Sequence, residues 1–236
     1  MKRQEKRFRL TAFETENLLK RHGFLKEKIK KNKPFMAYKD FRFSDLEDKF
    51  GITQTVARLF EGDIPEIQPS RWLLETLEKG KRRMLITEKI VSEALVFPIL
   101  QEIGENNANR IELFSGENLE ADKEKGLNGE CDFILAKAPL SKQIKAPIIT
   151  IAEAIRGDIE NHRSQSQASS QLIGARIFNQ KHVKPTPVMY GICTTGFDWI
   201  FIKLEENTIF IDAERYTLAN LPQLLGILQH VVDFYD

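Results

Sequence analysis

Six short apolar segments in the second half of the chain have the composition of β-strands. They are rich in β-branched and aromatic residues and are bounded by Gly, Asn or Pro, which is typical of strands that end in turns. In chain order they read RIELFSG, GECDFILA, PIITIAEAI, VMYGICTT, DWIFIKL and TIFIDA. The pattern predicts two groups of three strands, separated by a longer segment over residues 158–181.

Segments with apolar residues every three or four positions predict the helices. Thr11, Ser70 and Thr87 each stand where a helix N-cap is expected, and Gly80 and Gly104 stand where a helix ends. The predicted helices cover residues 11–31, a short segment from residue 44, residues 70–80, residues 87–104 with a kink at Pro98, residues 158–181, and the terminal segment LANLPQLLGILQHVVDFY.

The order of these elements is helix, three strands, helix, three strands, helix, which belongs to an α/β architecture with a mixed sheet. The strand, helix and strand of residues 147–194 should form a right-handed parallel crossover. The segment EGDIPEIQPS contains two prolines and a glycine and reads as a connector. We therefore predict a helical N-terminal extension over residues 1–80 and a main domain over residues 81–236.

Charge is distributed unevenly along the chain. Residues 1–33 hold 12 Lys and Arg against 4 Asp and Glu, so the rest of the chain, out of totals of 35 and 34, holds 23 against 30. A basic N-terminal arm is attracted to polyanions such as nucleic acid. A solvated lysine-rich helix explains the same composition, so the arm only supports other evidence.

Several classes of protein find no support in the sequence. No apolar run is long enough to span a membrane, and MKRQEKRFRL is not followed by the apolar stretch of a secretory signal. We therefore expect a soluble cytoplasmic protein. Cys131 and Cys193 lie in apolar segments, where buried thiols are expected rather than a disulfide or a zinc site. The motifs of P-loop NTPases, dinucleotide-binding proteins, serine hydrolases and zincins are absent.

Two carboxylates interrupt the apolar strand segments. Alternate side chains of a strand share a face, which groups Ile149, Ile151, Glu153 and Ile155 on one side of PIITIAEAI, while Asp132 lies in GECDFILA. A carboxylate among apolar residues needs a cation or hydrogen-bond donors. If the two strands are neighbours, Asp132 and Glu153 can bind one Mg²⁺ or Mn²⁺ ion.

The same two acids also have a simpler interpretation. Acids at strand ends often reach solvent or pair with a nearby cation, here Arg156 or Lys137. Two acids on two strands are a weak motif on spacing alone. Spacing by itself therefore leaves the metal site and the solvated pair as alternatives.

Most of the chain from residue 44 onward resembles a group of bacterial proteins, familiar from cyanobacteria, in the restriction-endonuclease-like or PD-(D/E)XK nuclease superfamily. The fold of that superfamily is a mixed β-sheet flanked by helices. The stretches that carry the resemblance are DLEDKFGI, PSRWLLETLEKG, TEKIVSEALVFPIL, ELFSGENLEADKEKGLNGECDFILAKAP, APIITIAEA, GARIFN, YGICTTGFDWIFIKLE and LLGILQHVV.

This resemblance implies roles for particular residues. It implies that Asp132 and Glu153 bind metal and act in catalysis, and that Glu93, on the helix before the strands, is a further metal ligand. It implies an active-site role for Gln167 on the following helix. Gln171 lies one turn further along the same helical face. Without the family pattern, Glu93 reads as a solvent-facing residue and the glutamines read as a polar stripe.

The chain departs from the family pattern at the lysine of the Glu-x-Lys motif, where it has Ile155. An isoleucine can neither polarise the attacking water nor offset the charge on the phosphate. Arg156 is adjacent and is a candidate catalytic replacement for the lysine, but it points to the opposite face of a regular strand, and an arginine is essentially never a proton acceptor. Arg163 is a second candidate replacement cation, and His162 is a candidate base against the simpler interpretation as a surface histidine.

We therefore expect a DNA endonuclease that depends on Mg²⁺ or Mn²⁺ and that is weak or impaired because of Ile155. A catalytically inactive nuclease fold that binds nucleic acid or a protein partner is the alternative. The N-terminal helices could instead form an oligomerisation element, which leaves a homodimer open. No membrane partner is expected.

Overall fold

A computed structural model of the chain describes residues 36–236, which fold around an eight-stranded mixed β-sheet. The helix predicted over residues 11–31 and the basic arm lie outside the described residues. The strands are β1 (Thr53–Ala57), β2 (Glu112–Asp122), β3 (Leu127–Ala136), β4 (Ile148–Ala154), β5 (Val188–Thr194), β6 (Asp198–Glu205), β7 (Thr208–Asp212) and β8 (Tyr216–Thr217). The six predicted strands correspond to β2–β7, so that prediction is confirmed.

The strands are arranged in the order β1-β7-β6-β5-β4-β3-β2, and β8 pairs with β6. Two neighbouring pairs, β4 with β5 and β1 with β7, are parallel, and the other pairs are antiparallel. The parallel crossover predicted over residues 147–194 is thus present as β4, a helix and β5. The prediction of a mixed α/β fold with helices beside the sheet is confirmed.

Helices cover both faces of the sheet. Within residues 36–236 they are α1 (Phe43–Phe50), α2 (Arg71–Lys81), α3 (Glu88–Val91), α4 (Phe97–Asn106), α5 (His162–Lys181) and α6 (Leu221–Asp233). The helices α1 and α5 pack on one face, and α2, α4 and α6 pack on the other. No helix in this part of the chain combines the length and apolarity needed to cross a membrane.

Residues 36–80, which the sequence assigned to the N-terminal extension, belong to the sheet and its cores. The strand β1 forms one edge of the sheet through its pairing with β7, and Leu46, Leu73 and Leu77 are buried. The compact unit therefore begins at Met36 and not at residue 81. The proline-rich connector is a surface crossing within this unit and not a domain boundary.

The helix predicted from Thr87 is interrupted by a π-helical turn, Ser92–Val96, which joins α3 to α4. Pro98 follows it and has no N–H to donate to the carbonyl of Ala94. Gly80 of α2 packs against that carbonyl, since a Cβ at Gly80 would lie 2.4 Å from the Ala94 oxygen. The π-helical turn, which continues into α4, is thus the part of this helical segment that Gly80 of α2 contacts.

Asn179, on α5, fastens the start of β4 to the helix layer. Its Oδ1 accepts from the Ile148 N–H at 2.7 Å, and its Nδ2 donates to the Ile148 carbonyl at 2.7 Å and to Thr186 Oγ1 at 2.6 Å. Asn179 is fully buried, so truncation would leave two backbone groups unpaired. We expect Asn179→Ala to lower the free energy of unfolding by about 2–4 kcal/mol in urea titration. The exposed Asn118→Ala is the control, and equal losses in both variants would contradict this role.

Candidate functional site

Asp132 and Glu153 lie side by side where β3 and β4 separate. The last paired residues of this ladder are Phe133 and Ala152, and the two acids are the next residues on their strands. Asp132 Oδ2 accepts a hydrogen bond from the Ala154 N–H at 2.8 Å, so its side chain bridges the gap between the strands. The structure therefore brings together the two acids that the sequence singled out.

Two glutamines of α5 hold the Glu153 carboxylate. Gln171 Nε2 donates to Oε2 of Glu153 at 2.7 Å, and Gln167 Nε2 donates to Oε1. Gln171 is fully buried and Gln167 is half-buried. Because they are four residues apart on a helix, both amides reach the same carboxylate from one face. Gln167 thus contacts the site residue that the resemblance links with it.

The pKa values of both carboxyl groups are raised. Burial, followed by the negative charge of Asp132, raises the pKa of Glu153, whose side chain is only 6% exposed. Burial also raises the pKa of Asp132. No Lys, Arg or His within residues 36–236 lowers either pKa. The pair is therefore a place where an added cation would stabilise the ionised form.

A third acid close to the pair is Glu88, at the start of α3. Its charge contributes to the raised pKa of both Asp132 and Glu153, and α3 contacts β4. Glu93, which the resemblance implied as a metal ligand, is exposed instead, and its Oε1 lies 3.9 Å from Lys89 Nζ. The structure does not place Glu93 with the pair. Glu88 directly follows the helix cap Thr87, and this position is the feature of the sequence that could have identified it as an acid near the pair.

Ile155 follows β4 and is 6% exposed within the apolar cluster beneath α5. Its N–H donates to the Thr194 carbonyl at 2.8 Å, so the backbone continues beside β5. Ile155 therefore lies on the same side of the sheet as Glu153, as the alternation predicted. Arg156 is exposed and forms no salt bridge with any residue of the 36–236 region. Neither residue brings a cation to the carboxylates.

One part of the predicted face is wrong. Ile149 belongs to the core on the opposite side of the sheet from Ile151. The register between β3 and β4 shifts at this point, since Leu135 pairs with Thr150 and Ala136 pairs with Ile148. The extra residue reverses the alternation before it, as a β-bulge does. Glu153 and Ile155 lie after the shift and keep their predicted relation.

His162 and Arg163 lie at the start of α5, about one turn before Gln167. Both are exposed and line a separate cavity of about 400 Å³ together with Arg42 and Ser166. The His162 ring lies edge-on to Phe43, with 6.2 Å between the ring centroids. Neither side chain is hydrogen-bonded to the acid pair within the described residues. The structure does not bring either of them to the candidate site.

The donor set suits a hard divalent cation whose shell is completed from outside the protein. In residues 36–236 no three His, Cys, Asp or Glu side chains are grouped closely enough to form a metal site alone. Mg²⁺ is commonly held by one or two carboxylates together with water and substrate phosphate. Oδ1 of Asp132 has no hydrogen bond with another described residue, so an oxygen is available for such an ion.

Neutralisation of Glu153 should change how stability depends on pH. Because its pKa is raised in the folded state from an ordinary 4.5, the folded protein favours the protonated acid, and stability should fall as the pH rises from about 4.5 through the raised pKa. In Glu153→Gln this fall should shrink by more than about 1.4 kcal/mol, the equivalent of one pKa unit. Urea unfolding in EDTA between pH 5 and 9 measures the difference.

An unchanged slope in Glu153→Gln would contradict this account. Glu117→Gln on β2 is the control, since Glu117 is exposed and should leave the pH dependence as it is.

Comparison of the chain with protein-family models finds no match, and comparison with curated proteins finds none either.

Proposed function

We propose that this protein is a slow DNA endonuclease of the restriction-endonuclease-like type that depends on Mg²⁺ or Mn²⁺. The observation that carries the proposal is the pair Asp132 and Glu153, adjacent at the opening between β3 and β4, where no cation of residues 36–236 lowers the pKa of either acid. A strand-borne acid pair that lacks a protein cation is the kind of site that a divalent ion occupies.

The residues around the pair have distinct roles in this proposal. Asp132 and Glu153 hold the metal ion, and Gln167 and Gln171 fix the Glu153 carboxylate through their amide hydrogens. Glu88 adds negative charge beside the pair. A bound divalent ion would polarise a water molecule and offset the charge that develops on the phosphate. In the reaction the water oxygen attacks phosphorus and one P–O ester bond breaks, which gives a phosphate monoester and a hydroxyl group.

The reaction is slow in this proposal because no ammonium group of residues 36–236 assists it. Ile155 is apolar and packed, and Arg156 points its guanidinium toward solvent. General acid–base and electrostatic groups each contribute about 100-fold or more to such reactions. No described side chain therefore supplies an electrophile at this site, and a bound metal ion would have to take that role.

A second candidate function is nucleic acid binding without cleavage. It is favoured by one observation, which is the burial of Ile155 within an apolar cluster next to Glu153. An apolar side chain at that position offers neither a charge nor a proton donor to the reaction. The same fold would then present a binding surface whose carboxylate pair has a structural role.

One assay separates the two functions. Supercoiled plasmid is incubated with the full chain and Mg²⁺, Mn²⁺ or EDTA, and binding of a labelled duplex is measured in parallel. Conversion to open circles that requires the metal ion supports the endonuclease. Binding without any conversion supports the second function, and conversion in EDTA would exclude the metal mechanism.

A further inference from the structure

The end of α2 and the turn after it form a cationic surface. In residues 79–86 every charged side chain is a cation, and all of them are exposed: Lys79, Lys81, Arg82 and Arg83. Lys81 Nζ lies 3.2 Å from Glu78 Oε1. The other three form no salt bridge with any residue in the region from 36 to 236, so their charge is available to a ligand.

Apolar side chains are exposed among these cations. Met84 is 78% exposed and Ile86 is 58% exposed. Trp72 is 44% exposed and lies on the face of α2 that also carries Lys79, since positions seven apart are two helical turns apart. Exposed apolar groups that alternate with cations are typical of surfaces that contact both phosphates and the sugars or bases of nucleic acid.

A cleft lies between this surface and the segment formed by α3 and the π-helical turn. The helix α3 contacts β4, the strand that carries Glu153. The cleft has a volume of about 620 Å³, with Lys79, Arg83 and Met84 on one side and Glu93, from the π-helical turn, on the other. Glu88 lies five positions after Arg83, which limits the distance between their Cα atoms to about 18 Å. The Cα atom of Arg83 therefore lies within about half a helical turn of DNA of the Cα atom of Glu88, the acid that adjoins the pair.

A phosphodiester approaching three acids is repelled unless positive charge nearby offsets them. Among residues 36–236, no Lys, Arg or His lowers the pKa of Asp132 or Glu153. The cations of residues 79–83 form a dense group of positive charge next in sequence to Glu88. Their position can supply the attraction that the acid pair itself lacks.

We infer that residues 79–86, together with Trp72, bind the backbone of duplex DNA beside the acid pair. Lys79, Arg82 and Arg83 contact phosphates, while Met84 and Ile86 contact sugars and base edges. This inference rests on the proposed function, because it names the surface that would hold the substrate of that site. The basic arm of residues 1–33 is not needed for it.

The test measures binding of a fluorescein-labelled 20-base-pair duplex to the full chain by anisotropy, in EDTA, over a series of NaCl concentrations. We expect Arg82→Ala/Arg83→Ala to weaken binding by about tenfold or more at 0.15 M salt and to reduce the slope of log Kd against log salt by about 1.8, the value for two lost phosphate contacts. Met84→Ala should weaken binding with an unchanged slope, because it removes a nonionic contact.

The matched control is Lys142→Ala/Lys145→Ala, which removes the same charge from exposed positions in the loop before β4, at the far end of that strand from Glu153. Equal losses in the two double variants would overturn the inference, since binding would then follow net charge. If Arg82→Ala/Arg83→Ala loses binding to phosphatidylserine vesicles but keeps its binding to DNA, the inference is overturned in favour of a lipid surface. All the substituted side chains are exposed, so unchanged thermal unfolding checks that each variant is folded.

The plasmid nicking assay, run on the same variants, separates this inference from the proposed function. Binding that depends on Arg82 and Arg83 without any nicking in Mg²⁺ supports the inference and contradicts the endonuclease. Nicking that is equally fast in Arg82→Ala/Arg83→Ala and in the wild type overturns the inference and leaves the metal mechanism in place.

Discussion

Replacement of Asp132 by Ala is expected to abolish metal-dependent nicking, with a loss of at least about 100-fold in rate. The variant removes one of the two carboxylates that can bind the ion, and Glu153 alone is buried and already held by two amides. Supercoiled plasmid with Mg²⁺ or Mn²⁺ gives the rate, and stabilisation of the fold by either ion in thermal unfolding gives a second measure of metal binding.

Asp132→Ala also removes the acceptor for the Ala154 N–H, so a structural loss has to be separated from the loss of charge. Asp132→Asn retains an oxygen that can accept this hydrogen bond and removes only the charge. It should be at least as stable as the wild type in EDTA, because it removes a charge that raises the pKa of Glu153, and yet gain no stability from Mg²⁺. Asp63→Asn, at an exposed loop position, is the control for charge. Nicking by Asp132→Asn at the wild-type rate would refute the assignment.

Ile155→Lys should accelerate nicking by about tenfold or more. Ile155 lies on the Glu153 side of the sheet, so the methylenes of a lysine can follow the apolar path of the isoleucine while the ammonium reaches toward the carboxylates. The cost of burying that ammonium is offset by attraction to two acids whose pKa values are raised, chiefly by burial. The new cation would also lower the pKa of Glu153.

Ile155→Met is the matched variant, since it has an unbranched side chain of similar length without the charge. It should nick no faster than the wild type, which separates the effect of charge from that of shape. If Ile155→Lys folds, binds DNA and still fails to nick, the site lacks more than the ammonium, and nucleic acid binding without cleavage becomes the better description.

Most of the sheet could be predicted from the sequence because its central strands are buried on both faces. β4, for instance, is buried at every residue and reads as a continuous apolar run apart from Thr150 and Glu153. The strand β1 was missed because its exposed sequence, TQTVA, has almost no apolar pattern. A strand that is held mainly by backbone hydrogen bonds at the edge of a sheet need not have the apolar side chains from which strands are predicted.

The candidate site could be predicted in part for similar reasons. The alternation of side chains and the neighbouring positions of two strands suffice to bring Asp132 and Glu153 together. The choice between Glu88 and Glu93 depends on the rotation of a helix that contains a π-helical turn, and such a turn is a backbone irregularity that residue types do not reveal. The bulge that moves Ile149 to the other face was missed for the same reason.

The pairing of β1 with β7 has a consequence for the synthesis of the chain. Thr53 pairs with Thr208, which is 155 residues later. At ribosomal rates of about 5–20 residues per second, residues 53–57 wait roughly 8 to 30 s before their partner strand is made. Contacts this far apart in sequence also form slowly after synthesis. The polar composition of TQTVA is therefore an advantage to the nascent chain, because a more apolar edge strand would be exposed to aggregation throughout that interval.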